Sequence, residues 1–266
     1  MRFCSLGSGS GGNATLIEAS QGITTTTLLV DCGFSLRELT RRLARAERRP
    51  EDLSAIFITH EHGDHVGCAL GLAQRYRIPL WTSRGTWRAI GQGCQAAQAE
   101  ALDPALLHLA RDGEAIELGD LALQPFAVPH DAHEPLQLSC GDGHRRLGLL
   151  TDVGSITDQL LARLQGCDGL LLECNHDEAL LRASSYPASL KRRILGSHGH
   201  LSNESAAQIL GRCSNDRLRR VAAAHLSASN NRPELARQAL AQALGGAPAD
   251  ILVADQALGL DWQDLL

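Results

Sequence analysis

Residues 59 to 65 read Thr59-His60-Glu61-His62-Gly63-Asp64-His65 and follow directly on the apolar run Leu53-Ser-Ala-Ile-Phe-Ile58. A strand ending in a loop can aim His60 and His62 to one side, because side chains two apart share a face, while Asp64 and His65 continue around the turn. Imidazole and carboxylate suit zinc or a similar divalent ion, and four such groups exceed what one open catalytic ion usually takes. The stretch therefore predicts a metal centre with two ions. A zincin would need His-Glu-x-x-His on a helix. Here Gly63 and the preceding strand place the motif on a loop.

Two ions with an open position need about seven protein ligands, so more His or Asp residues are expected at strand ends. His130 follows the run Leu123 to Pro129, Asp152 follows Leu147 to Thr151, and His225 follows Val221 to Ala224. Taken singly, Asp152 also reads as a turn or cap residue, His130 as a loop residue and His225 as a core histidine. Together with the first motif they complete the set. A carboxylate bridges two cations best, which makes Asp152 the candidate bridge.

Outward from these ligands, apolar patterning predicts strands at 13–18, 24–30, 79–82, 115–118, 121–128, 136–140, 146–151, 169–173, 221–224 and 251–254. It predicts helices at 35–46, with Ser35 as N-cap, and at 68–76, 86–91, 157–164, 184–195, 202–212 and 233–244. Residues 94–112 are Ala- and Leu-rich without a clear period. Two blocks of strands, each joined to helices, predict an α+β fold of two mixed sheets packed face to face with helices outside.

The 266 residues are 44% hydrophobic and 21% charged, without internal repeat or linker, and are expected to form one domain, 1–266. The N-terminus carries no apolar leader, and nowhere do about 18 apolar residues run together, so a cytoplasmic protein is expected. Eight cysteines are scattered without a Cys-x-x-Cys pair and read as reduced, packed thiols, with Cys174 a further ligand candidate. A formal net charge of −5 gives no global attraction for nucleic acid. Local patches could hold one: Arg41, Arg42, Arg45, Arg48 and Arg49; Lys191 to Arg193; and Arg217, Arg219 and Arg220. They read equally as solvated helix faces. At 3% aromatic residues, extensive base stacking has little scope.

The order His-x-His-x-Asp-His, then a single His, an Asp and a final His at strand ends resembles the metallo-β-lactamase fold superfamily. The resemblance implies a four-layer αββα sandwich in which His60, His62 and His130 bind the first ion, Asp64, His65 and His225 the second, and Asp152 bridges them. The ligand types accept zinc or manganese. Further stretches resemble the small bacterial YycJ/WalJ-type exonuclease family: Gly7-Ser-Gly-Ser-Gly-Gly-Asn13, His130-Asp-Ala132, Glu173-Cys-Asn-His-Asp177, Gly199-His-Leu-Ser-Asn203 and His225-Leu-Ser-x-x-Asn-Asn231. This implies DNA as partner, 5′-to-3′ degradation and a place in DNA repair. Glyoxalase and thioesterase relatives carry His-Thr-Pro-Gly at the third ligand, where this chain has His130-Asp-Ala-His133.

His200 lies before a predicted helix capped by Ser202 or Asn203, where a helix N-terminus favours an anion, and it is similar in position to the phosphate-contacting His of tRNase Z and RNase J. It is the candidate acid, with Asp64 and Asp152 orienting the attacking hydroxide. Glu173 and Asn175 are expected to orient His200 without ligating. His133 and His176 are expected at the substrate cleft, Asn13 there or behind a ligand, and Asp31 behind a ligating histidine or in a strand-end turn. The competing functions are a small-molecule phosphodiesterase or lactonase, and a metal-stabilised binding module without turnover.

Overall fold

The computed structural model describes residues 1–265. Among them, fourteen strands form two seven-stranded sheets. The first runs in the order β14 (Leu260–Asp264), β1 (Arg2–Gly7), β2 (Ala14–Gln21), β3 (Thr24–Val30), β4 (Ala55–Phe57), β5 (Leu80–Ser83), β6 (Leu107–Ala110). The second runs β13 (Leu252–Val253), β12 (Arg220–Ala224), β11 (Gly169–Glu173), β10 (Arg146–Leu150), β9 (Leu136–Gly141), β8 (Leu121–Ala127), β7 (Ile116–Leu118). Each sheet is mixed. Strands β3 to β6 and β10 to β13 are parallel, whereas the β14-to-β3 and β7-to-β10 halves are antiparallel.

The sheets face each other because their strands are apolar on both sides. In β3, Leu28 and Val30 enter the core between the sheets while Leu29 enters the outer one; in β4, Phe57 points inward and Ile56 outward. In β11, Leu171 faces the first sheet, and Leu170 and Leu172 face the opposite way. Outside the first sheet lie α1 (Leu36–Arg45), the short α2 (Gly63–Val66), α3 (Ala69–Tyr76), α4 (Arg84–Gln92) and α5 (Ala96–Ala101). The second sheet is followed by α6 (Asp158–Leu164), α7 (Glu178–Ala183), α8 (Ala188–Ile194), α9 (Asn203–Cys213) and α10 (Pro233–Leu244). The outer core on that side joins residues of α6, α9 and α10 to β10, β11 and β12. This is the predicted αββα arrangement.

Three differences from the sequence reading have plain causes. The helix expected at 184–195 starts only at Ala188, as α8, because Pro187 disfavours helix at the residue before it; the separate helix α7, at Glu178–Ala183, lies ahead of the expected range. The metal motif is not wholly a loop: Asp64 and His65 sit in the one-turn helix α2. Strands β1, β6 and β14 carried no readable pattern, β1 because it is buried on both faces and β14 because it is a polar edge.

Candidate metal centre

The C-terminal ends of strands from both sheets gather the site at one edge of the sandwich. Asp31 follows β3; His60, His62, Asp64 and His65 follow β4; His130 follows β8; Asp152 follows β10, Glu173 ends β11, and His225 follows β12. Asp31, Asp152 and His225 have φ of 60°, 56° and 53°, the left-handed region that Asp and His tolerate better than most side chains. Each therefore turns sharply off its strand into the site. The motif is fastened to its neighbours through backbone bonds: Asn13 N–H donates to Asp64 O (2.8 Å), Cys32 N–H to His65 O (2.7 Å) and Gly33 N–H to Asn13 O (2.9 Å). A Cβ at Gly33 would run into the Asp64 carbonyl, so only glycine lets the strands close here.

Ligand atoms of His60, His62 and His130 lie within 4.8 Å of one another, as do those of Asp64, His65 and His225. Asp152 joins a set with His60 and His65 and another with Glu173, His200 and His225. The structure thus brings together all seven residues expected from the sequence and puts Asp152 between the two groups.

Proton positions follow from the surrounding acceptors. His65 Nδ1 donates to Asp31 (2.7 Å), and His130 Nδ1 donates to the Gly199 carbonyl (3.1 Å). The Thr59 hydroxyl donates to Asp31 (2.9 Å) and so accepts from His60 Nδ1 (3.0 Å). In each ring Nε2 is left as a bare lone pair. His60 Nε2 lies 3.0 Å and His130 Nε2 3.4 Å from His62 Nδ1, and His65 Nε2 faces Asp152 Oδ2 at 2.8 Å. Among the described residues His225 Nε2 is buried without a hydrogen-bond partner. Lone pairs converging at such distances repel unless a cation or a proton sits among them. The nitrogen and carboxylate donor set therefore fits a divalent metal.

The electrostatics agree. Burial pushes the His60 imidazole well down and the His130 imidazole down, keeping both neutral. Burial also pulls His65 and His225 down, but Asp152 and the other carboxylates outweigh it, holding His65 well above its ordinary value and raising His225 to about 10. Asp152 is pushed up by burial, yet His225 and His65 hold it well below the usual carboxylate range. Proton and metal compete for the same atoms.

Beside the ligands, Glu173 Oε1 accepts from His200 Nδ1 (2.8 Å) and its Oε2 from Val153 N–H (2.7 Å), so Glu173 orients His200 as expected. Burial lowers the His200 imidazole, but Glu173 and Asp152 overcome it and raise it. Asn175 Nδ2 donates to the His225 carbonyl (3.1 Å). Asn13 caps its glycine loop by accepting from Gly9 N–H (2.9 Å), and its Nδ2 lies 3.1 Å from His65 Nε2. Asp31 proves to be the partner of His65.

A cavity of about 440 Å³ opens above the ligands and is lined in part by Asn175, His200 and Ser227. His176 is not in it: the residue is 1% exposed and bridges through its backbone to Ser202, which caps α9 by accepting from Ser205 N–H (3.2 Å). Both belong to the scaffold. His133 is paired at the rim with Glu61 (2.6 Å), and Cys174 is buried in the outer core away from the ligand sets. Two arginine patches are occupied internally. Arg42 donates to Glu38 (2.7 Å), Arg48 to Glu18 (2.6 Å) and Arg217 to Asp168 (2.9 Å). The reading from sequence missed Thr59, Ser8, whose hydroxyl accepts from His225 N–H (2.8 Å), and Asp131, 3.3 Å from His130 Nε2. Thr59 and Asp131, each adjacent to a candidate ligand, gave a signal in the sequence, whereas Ser8 gave none.

A family model described as a beta-lactamase superfamily domain matches residues 26–225. Exodeoxyribonuclease WalJ of Streptococcus pneumoniae is 37% identical over 98% of this chain and 92% of its own length, and exodeoxyribonuclease YycJ of Bacillus anthracis is 34% identical over 92% and 89%. Zinc-bound PqqB of Methylobacterium extorquens shares the fold at 17% identity, with a TM-score of 0.74 over 99% of this chain and 100% of that one. The chain is a hydrolase of the metallo-β-lactamase fold and belongs to the WalJ/YycJ exodeoxyribonuclease family. Among the described residues no helix is long and apolar enough to cross a membrane.

Proposed function

We propose that this chain is a one-domain cytoplasmic phosphodiesterase that degrades DNA from a strand end, 5′ to 3′, with two divalent cations, zinc or manganese. The carrying observation is that Asp152 lies within ligand distance of His60 and His65, one histidine from each ligand group, and lines one cavity with His62, Asp64 and His225. Ligand sets of this kind belong to binuclear catalytic centres, whereas a structural ion is closed off by its ligands. His60, His62 and His130 would hold one ion and Asp64, His65 and His225 the other, with Asp152 available to both. When bound, the cation pair lowers the pKa of a water and draws charge from the phosphate oxygens. Asp64 and Asp152 orient the attacking water. His200, its Nδ1 committed to Glu173, turns its other nitrogen to the substrate and delivers a proton to the departing sugar oxygen. DNA is supported by the two exodeoxyribonuclease relatives.

A small diester is the second reading, favoured by Arg193 being the one Lys or Arg among the cavity-lining residues. Metal-defined protein assayed on 5′- and 3′-labelled single- and double-stranded DNA, beside a chromogenic diester, separates the two. Protein that turns over the diester and leaves every DNA intact overturns the exonuclease reading. Asp64→Ala is expected to abolish turnover and deplete metal, whereas His200→Ala keeps the metal and loses about 10²–10⁴-fold in rate. Activity retained in Asp64→Ala refutes the mechanism.

A further inference from the structure

Helix α8 buries none of its residues. Its apolar side chains nevertheless have a direction: Leu190 and Ile194, four apart and therefore on one helix face, line the metal cavity together with Tyr186 just before the helix. None of the three packs in the hydrophobic cores.

The chain has only four Phe, three Trp and two Tyr, and the other eight are engaged elsewhere. Phe3, Phe57 and Phe126 are fully buried, Phe34 lies under Arg42, and Trp81 stacks on His108. Trp262 lies under Arg2, and Tyr76 and Trp87 pack against the outer core. Tyr186 alone lines the cavity, half-buried, and its hydroxyl has no hydrogen-bond partner among the described residues. Beside it stands Arg193, whose Nε is held by Asp131 (2.5 Å) next to the ligand His130. One wall of an acidic, metal-binding cavity is thus an aromatic and aliphatic strip with a guanidinium at its edge. Phosphate alone makes no use of such a strip, whereas a nucleobase stacks on it while the neighbouring phosphate meets the cation.

We propose that Tyr186, flanked by Leu190 and Ile194, is the platform on which a base at the end of the DNA strand stacks, with Arg193 on a phosphate next to the scissile one. This rests on the exonuclease reading. One platform suffices for an enzyme that must hold only the last one or two nucleotides, which reconciles end-directed cleavage with so few aromatic residues.

The test compares wild type, Tyr186→Phe and Tyr186→Ala on a single-stranded oligonucleotide degraded from its end, and on strands with a tetrahydrofuran abasic unit at the first or second position. On the intact strand Tyr186→Ala is expected to lose about 5- to 150-fold in kcat/KM, the range of one base–aromatic stack, and Tyr186→Phe to stay within about twofold of wild type. On one of the two abasic strands wild type and Tyr186→Ala should coincide. An equal loss on all three strands, no loss on the intact strand, or a Tyr186→Phe as impaired as Tyr186→Ala overturns the proposal. A wild type that degrades no strand, with metal bound, instead sinks the parent reading.

Discussion

Replacing Asp31 by Asn tests whether the metal centre is built from behind. Asp31 ligates nothing in the proposed scheme, yet its carboxylate receives His65 Nδ1 (2.7 Å), the Thr59 hydroxyl (2.9 Å) and Thr59 N–H (2.9 Å). Through Thr59 it also orders His60, whose Nδ1 needs that hydroxyl as acceptor. One carboxylate thus fixes the tautomer of one histidine from each ligand group. Asn keeps an oxygen for Thr59 but offers an N–H where His65 presents its own, so the ring is driven to protonate Nε2, the atom turned to Asp152. A charge-assisted hydrogen bond contributes about 1.5–3 kcal/mol, equivalent to about 10–100-fold in metal affinity, which is also the usual effect of such outer partners. Thr59→Val leaves the Asp31–His65 bond in place and loses the hydroxyl's bonds to the Asp31 carboxylate and His60, about 1.5 kcal/mol or roughly tenfold, the low end of the charge-assisted range. Chelator competition with zinc, read as ions per chain, gives both numbers, and circular dichroism confirms the fold. Asp31→Asn binding metal like wild type, or Thr59→Val weaker than Asp31→Asn, refutes the reasoning.

Because His65 and His225 are held above the ordinary histidine value, metal must displace protons there; affinity should rise with pH and calorimetry in buffers of different ionisation enthalpy should show proton release, whereas pH-independent binding contradicts the tautomer scheme. Gly33→Ala forces a methyl against the Asp64 carbonyl and should cost about 3 kcal/mol, a Tm fall of roughly 6–10 °C with reduced metal content; an unchanged melting curve argues against the close approach. Buried Glu18 takes hydrogen bonds from Arg2 and Arg48 (both 2.6 Å), which overcome its burial and lower its pKa. Its contribution is complete above the ordinary glutamate value and is lost as pH falls through the lower folded one. Urea titration should show Glu18→Gln less stable by about 2 kcal/mol at neutral pH and the gap closing in acid; a constant gap refutes the charge argument.

The candidate ligands were legible because metal chemistry restricts residue type and strand ends restrict spacing. His60, His62, Asp64 and His65 announce themselves within six positions, and His130, Asp152 and His225 each end an apolar run. The two-sheet architecture was legible for a similar reason, since strands such as β11 are apolar on both faces. What sequence could not show is contact across the chain. Asp31 lies 34 positions from the histidine it orients, and Ser8 217 from the amide that it receives. The Tyr186 wall was hidden differently. Pro187 trims the start of what reads as one helix over 184–195, and the shortened α8 turns its apolar face to the cavity instead of to a core. Periodicity reports that a face is apolar and says nothing of what covers it.

The left-handed turns at Asp31, Asp152 and His225 carry this further. A non-glycine residue at positive φ costs roughly 1 kcal/mol or more, and three such turns at one edge of the sandwich persist only where surrounding bonds over-determine them. Here they are over-determined: Asp31 N–H donates to Phe57 O (2.8 Å), His225 N–H to the Ser8 hydroxyl (2.8 Å), and Asp152 is followed by Val153 N–H on Glu173 (2.7 Å). Each turn swings a side chain out of the pleat, where it would alternate between cores, and into the space beyond the strand end. The strain thus sits in the backbone that aims the ligands, and the hydrogen bonds holding it come from residues that touch no metal. Substituting those holders should therefore loosen metal binding before it unfolds the protein.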